Sequence, residues 1–375
     1  MPKRWKKFRA APDSGKNLNR RIESVKYLTG NLKLFLLLAA AVFVVKAQAD
    51  VKDSTAAAET DVFLNVSVWS EKELLKDLRA PDFEIYEGKK RQEITFFKRA
   101  DEPSSIGVLF DLSASMRSAG AGKANKIALA ARGFNFLLAN GHPENDYFFI
   151  SSGKTTSVLL EPTQDKNKVG EVLNNLAAYR AVSGAANFHD AVNSGFEKVS
   201  RARQQKKVLI LITNGADNNY FAEAKKLFRG GDVLLYAINI LPDTEFYSLS
   251  RPRDGSINSI AGTIPPLAAR NLRSFFSDSD SRGLYSPFFS AADNLEILAS
   301  ETGGRAFYPI NAQETGKAFE MLAAELRSQY LLGFKPVAWA KRNEWRKIEV
   351  KVNLPKEKKR ETGKIFVRSR TGFYF

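Results

Sequence analysis

Ser105-Ile106-Gly107-Val108-Leu109-Phe110-Asp111-Leu112-Ser113-Ala114-Ser115-Met116 is the stretch on which the fold turns. Residues 106–110 are apolar without alternation, which suits a strand covered on both faces. Just past the strand, one carboxylate and two hydroxyls follow at steps of two residues: Asp111, Ser113 and Ser115. In a doubly wound sheet the C-terminal end of a central strand faces the ligand crevice. Three hard oxygens gathered there suit Mg2+, Mn2+ or Ca2+ and no soft metal. The same residues admit a plainer role, with Ser113 and Ser115 capping the helix that follows.

Outward from this point, apolar strands alternate with amphipathic helices. The pattern predicts a helix over 123–139, a hairpin of strands 146–151 and 156–160, and helices over 167–179 and 187–202. Then come strand 208–213, helix 220–228, strand 233–240, helix 294–302, strand 305–310 and helix 314–326. Such alternation implies an α/β class with a doubly wound, mostly parallel sheet. Residues 241–292, rich in Ser, Asp, Arg, Pro and Phe, show no clean period and read as a long loop.

Both flanks are β in pattern. Residues 62–69 alternate apolar and polar as a half-buried strand does. Residues 83–86 and 92–97, around the turn Glu87-Gly88-Lys89, read as a hairpin. After 328 the pattern returns at 330–334, 345–354 and 364–375, the last two joined by a basic turn over 356–360. Three or more strands with an apolar face are stable where a lone hairpin is marginal. The expectation is therefore one small sandwich, built from strands over about 60–102 and 329–375, with an α/β domain over 104–328 inserted between them; within 50–103, residues 50–60 read as a polar, Ala-rich linker that precedes the β segment.

Asp111-x-Ser113-x-Ser115 resembles the metal-ion-dependent adhesion site (MIDAS) of the von Willebrand factor A domain. Further segments resemble a bacterial, acidobacterial-type subfamily: Asp82-Phe-Glu-Ile-Tyr-Glu-Gly88, Glu301-Thr-Gly-Gly-Arg-Ala-Phe307, Leu326-Arg-Ser-Gln-Tyr-Leu-Leu-Gly-Phe334 and Val367-Arg-Ser-Arg-Thr-Gly-Phe373. The resemblance covers roughly residues 60–375. It implies a non-enzymatic protein-interaction module in which a partner's acidic side chain completes the coordination of a divalent cation. Two family motifs are altered. Ala186 stands where the family has a Thr ligand, in Gly184-Ala-Ala-Asn-Phe-His-Asp-Ala191, and Asn214 stands for Asp in Asn214-Gly-Ala-Asp217. Of the matched positions, Asp111 alone keeps a charge, with Ser113, Ser115 and Asn214 as the other expected metal ligands or water holders. A vestigial, metal-free site in a structural envelope protein is the alternative. Asn187 has the type of a helix cap, and Asn214-Gly215 is a common turn pair.

Other signals point to packing or turns. Gly153-Lys154-Thr155 mimics the end of a phosphate loop, yet position 148 is Phe where Gly is required, so a hairpin turn is expected. His142 reads as an exposed loop residue and His189 as a packed one. Neither has a Ser/Asp spacing that suggests nucleophilic catalysis.

The N-terminus carries a basic lead ending at Lys33, twelve apolar residues over 34–45, and the small-x-small triplet Ala47-Gln48-Ala49. Twelve helical residues span about 18 Å, short of a ~30 Å hydrocarbon core. Residues 1–49 thus read as an export signal, leaving no permanent span. The destination is the periplasm, the cell envelope or the outside. The chain has 375 residues, no Cys and two His, which excludes a disulfide framework and a thiolate metal site. Its net charge of +16 is concentrated at the ends. Residues 1–49 hold 11 Lys/Arg against 2 Asp/Glu, and 335–375 hold 13 against 4, so the body between is near neutral. A basic tail on a near-neutral body fits an envelope surface, and no nucleic-acid partner is expected.

Overall fold

The computed structural model describes residues 61–71, 73–117, 125–153, 155–176, 188–214, 221–240, 287–309, 311–337 and 344–374, with the side chains of 117 and 287–293 excepted. Residues 61–375 form one compact unit. The expected signal at 1–49, the linker after it and most of the long loop lie outside the described residues.

The chain enters through β1 (Val62–Ser70), β2 (Phe83–Glu87), β3 (Lys90–Gln92) and β4 (Ile94–Ala100). The α/β part follows: β5 (Ser104–Asp111), α1 (Ala114–Arg117), α2 (Lys126–Asn140), β6 (Asp146–Ser152), β7 (Ser157–Thr163), α3 (Lys166–Asn175) and α4 (Phe188–Ser200). It continues with β8 (Lys206–Thr213), α5 (Phe221–Arg229), β9 (Leu234–Asn239), α6 (Pro287–Thr302), β10 (Ala306–Phe307) and α7 (Ala312–Leu326). The chain then returns to β structure with β11 (Gln329–Phe334), β12 (Trp345–Val352), α8 (Lys356–Thr362), β13 (Ile365–Arg368) and β14 (Gly372–Tyr374).

The central sheet has the order β10-β9-β8-β5-β6-β7 and is parallel except for β7. It is doubly wound, as its uninterrupted apolar strands require. All eight residues of β5 are buried. Period two along the strands sends Val108, Phe110, Ile210, Ile212, Tyr236 and Ile238 to a core under α2, α3 and α7. Leu109, Leu209, Leu211, Leu235 and Ala237 go to the opposite face, under α4, α5 and α6. Helix α2 shows the complementary pattern, burying Ile127, Ala130, Gly133, Phe134 and Leu137 at steps of three and four. After β5 the chain moves to β6 on one side, and later to β8 on the other. The crevice beside the C-terminal ends of β5 and β8 is therefore the topological switch point.

Strands from the two ends of the chain pair with each other. One antiparallel sheet has the order β13-β1-β11-β4, the other β14-β12-β2-β3, and each draws on both segments. Their inner faces share a core that includes Leu64, Val66, Phe83, Ile85, Leu332, Phe334, Ile348 and Phe373.

Several sequence expectations need correction. Residues 92–97 are not one hairpin strand. β3 pairs with β2, and after Glu93 the chain crosses to the other sheet, where β4 pairs with β11. Residues 92–97 hold no Gly, Pro, Asn, Asp or Ser to signal a break, so the sequence does not mark the crossing. Residues 364–375 likewise split between the sheets, β13 on β1 and β14 on β12. The basic run after Pro355 is helix α8 rather than a turn; its Lys and Glu residues are good helix formers, and Gly363 at φ 70 ends it. Helix α6 starts at Pro287, inside the expected loop 241–292, with proline in the first turn where its missing N–H costs nothing. β10 is only two residues long where 305–310 was expected; Pro309 cannot donate to a ladder.

Candidate functional site

Asp111 closes β5 and is 4% exposed. Its carboxylate is held on both oxygens: the Ser113 backbone N–H donates to Oδ1 at 2.9 Å, and the Thr213 hydroxyl donates to Oδ2 at 2.9 Å. Burial pushes the Asp111 carboxyl up from its ordinary value. The hydrogen bonds from Ser113 and Thr213 and the positive charge of Lys126, itself buried at the start of α2, pull the other way.

The two serines follow this carboxylate and are half-buried, with their hydroxyl oxygens 3.0 Å apart. They flank the first residue of α1, a single four-residue turn. The strand delivers Asp111, and the turn that follows brings the Ser115 hydroxyl to that of Ser113, whose backbone bonds Asp111. Asp111, Ser113 and Ser115 are thus linked in one run, Asp111 to Ser113 and Ser113 to Ser115.

Asn214 follows β8 and is 1% exposed, its Oδ1 without a hydrogen-bond partner among the described residues. Since Thr213 of the same strand end touches Asp111, Asn214 belongs to the same edge. Ala186, Asn187 and 215–217, the rest of the two altered motifs, lie outside the described residues.

Sequence reading missed three polar residues of this edge. Thr213 reads as the last residue of an apolar strand, and its role follows only from β8 lying beside β5. Ser152 is in register with Asp111, and Asn239 with Thr213. Both are buried, and the Ser152 hydroxyl and both amide atoms of Asn239 lack partners among the described residues. A row of Asn239, Thr213, Asp111 and Ser152 thus crosses four adjacent strand ends.

The donor set is wholly oxygen: one carboxylate, the converging hydroxyls of Ser113 and Ser115, and the unpartnered amide oxygen of Asn214. This chemistry fits a hard dication, with one negative charge to hold it. Among the described residues there is no group of three or more His, Cys, Asp or Glu that could hold a metal.

The histidines lie elsewhere. His142 is half-buried rather than simply exposed, its Nδ1 3.2 Å from the backbone N–H of Glu144. His189 is 41% exposed on α4 rather than packed, with Nε2 2.8 Å from Glu223 on α5. Gly153 and Thr155 lie in the connection of the β6–β7 hairpin, where a turn was expected; Lys154 lies outside the described residues. Among the described residues, no helix is long and apolar enough to cross a membrane.

No curated protein matches the chain. Among solved structures, it is similar to the conserved hypothetical protein BatB from Bacteroides thetaiotaomicron, at 14% identity and a TM-score of 0.41 over 60% of this chain and 98% of that one. An aerotolerance-related membrane protein from Bacteroides fragilis matches at 16% identity and TM-score 0.41, over 60% and 98%. Proximal thread matrix protein 1 from the mussel byssus, with a zinc-occupied MIDAS motif, matches at 12% identity and TM-score 0.38, over 64% and 49%. The segment that carries the site, residues 106–216 from β5 to just past β8, matches the family model of the von Willebrand factor type A domain.

Proposed function

We propose that the C-terminal edge of the six-stranded sheet is a protein-docking site and that the chain is an exported, non-enzymatic interaction module. In this reading Asp111, Ser113 and Ser115 hold a divalent cation, Mg2+ before Mn2+ or Ca2+. Asn214 adds its amide oxygen directly or through water. A bound dication supplies a positive centre that a partner's carboxylate can complete; the residues themselves fix where that centre lies. The observation that carries the reading is the convergence of Asp111 with the two serine hydroxyls at the switch point, inside the segment matched by the type A domain family. The motifs around 82–88, 301–307, 326–334 and 367–373 support a bacterial subfamily of that family, and the apolar run over 34–45 supports export to the envelope or beyond.

Isothermal titration of the wild type and Asp111→Ala with Mg2+, Mn2+ and Ca2+ tests the metal. Heat in the wild type that vanishes in the variant supports it. Silence in both leaves the second reading, a metal-free envelope protein. That reading is favoured by one observation: the single carboxylate already accepts hydrogen bonds on both oxygens. Capture of a partner from envelope extract, with and without chelator, separates metal-dependent from metal-independent docking.

A further inference from the structure

Three segments set apart by the resemblance play no part at the metal edge. They are 301–307, 326–334 and 367–373, and the fold brings them to one place, where the β-sandwich meets the α/β part. The centre of that place is Glu325, on the last turn of α7 and 0% exposed. Its carboxylate accepts hydrogen bonds from the Ser67 hydroxyl at 2.9 Å and the Trp69 indole N–H at 3.0 Å, both on β1. It accepts a third from the Tyr236 hydroxyl at 3.0 Å, on β9. The Arg305 guanidinium lies 3.7 Å from Glu325, stacked over Trp69 and Phe307 at 4.8 and 4.1 Å.

A second buried pair completes the cluster. Arg368 of β13 lies 3.7 Å from Glu296 of α6 and donates to the Gly304 carbonyl at 3.3 Å. Glu296 also accepts from the Ala306 backbone N–H at 2.9 Å. Gly303 lets the two parts close: at φ 93 it passes so near the 369–370 backbone that a Cβ would meet Arg370 N at 2.9 Å. Around the rim, the Glu301 carboxylate takes both Arg229 and Lys225, while its carbonyl accepts from the Thr371 N–H.

We infer that this cluster is a joint that sets one docking register between the sandwich and the α/β part and makes them a single cooperative folding unit, with Glu325 as its key residue. The physical argument is the cost of any other arrangement. Two carboxylates and two guanidiniums are withdrawn from water here, and a shifted sandwich would strand a buried charge. Apolar contact between the parts tolerates sliding; directed bonds from Ser67 and Trp69 of β1 to one carboxylate do not. The sandwich is thus an integral part of the α/β fold rather than a separate module appended to it.

Hydrogen exchange of the full chain, followed by peptide mass spectrometry at increasing denaturant, tests this. In the wild type, β1 and β11 amides should merge with those of β5 and β8 into one global opening. In Glu325→Leu the sandwich amides should exchange at least about tenfold faster than the sheet amides, because the shared opening is split. Arg305→Met/Glu325→Leu, which strands no charge in that pair, should restore part of the coupling. If Glu325→Leu does not fold, Ser67→Ala provides the graded version, with a smaller separation in the same direction. Independent opening of the sandwich in the wild type would overturn the joint. So would a common opening left unchanged in Glu325→Leu, or in Ser67→Ala where that variant replaces it.

Discussion

Asp111 shows how much one residue at a strand end can carry. It is buried, it organises Thr213 and the Ser113 backbone, and it supplies the site's negative charge. Replacing it by Ala leaves two donors without their acceptor and should cost about 1–3 kcal/mol in urea unfolding. An unchanged midpoint would mean that those bonds matter little. Asn214→Asp is the more telling substitution. It adds a second carboxylate beside the first, so without metal the buried repulsion should lower the melting temperature. With Mg2+ that loss should be recovered, and calorimetric affinity should exceed the wild type by about tenfold, since affinity for hard cations follows ligand charge. A variant that gains nothing from Mg2+ would argue against metal at this edge.

Elements carry their own tests. In β5, Gly107 has no room for a side chain: an added Cβ would sit 2.3 Å from the Phe148 ring and 2.9 Å from Leu209. Gly107→Ala should therefore cost about 1–3 kcal/mol by overpacking, read from denaturant midpoints. Helix α7 is fixed at both ends. Asn311 caps its start by accepting from the Glu314 N–H at 2.9 Å. At its finish, the Lys206 ammonium of β8 donates to the Leu326 carbonyl at 2.8 Å. Burial holds the Lys206 pKa down to about 8, against the pull of Glu102 and Asp101. Its unfolded value is 10.5, so between these limits the unfolded chain keeps a proton that the folded chain has lost. Stability from this group therefore rises with pH across that window and is lost as pH falls back through 8. Relative to Lys206→Met, the wild type should gain on the order of 3 kcal/mol over the range. A flat difference would show that the ammonium is better solvated than its burial implies.

The whole molecule depends on both ends of its described chain. Truncation after Ser328 removes β11–β14, taking both neighbours of β1, one of the two neighbours of β2 and the ladder partner of β4. The four strands left at the N-terminal end would then present open edges and an uncovered apolar face. The truncated chain should aggregate or be cleaved within 61–103 under limited proteolysis that spares the full chain. Resistance of that segment would show that it folds without its C-terminal partners.

The sequence by itself determined the α/β class, the alternation of the main strands and helices from β5 to α7, and the closeness of Asp111, Ser113 and Ser115. These depend on local signals: apolar runs, helical spacing, and residues only two apart on one turn. Only the tertiary structure decided that Thr213 reaches Asp111 across 102 positions, and that Glu325 receives Trp69 across 256. It also decided that two strands break and cross between the sheets. Such pairings are fixed by which strand lies beside which and in what register. Neither leaves a local pattern, because alternation is the same whichever neighbour a strand takes.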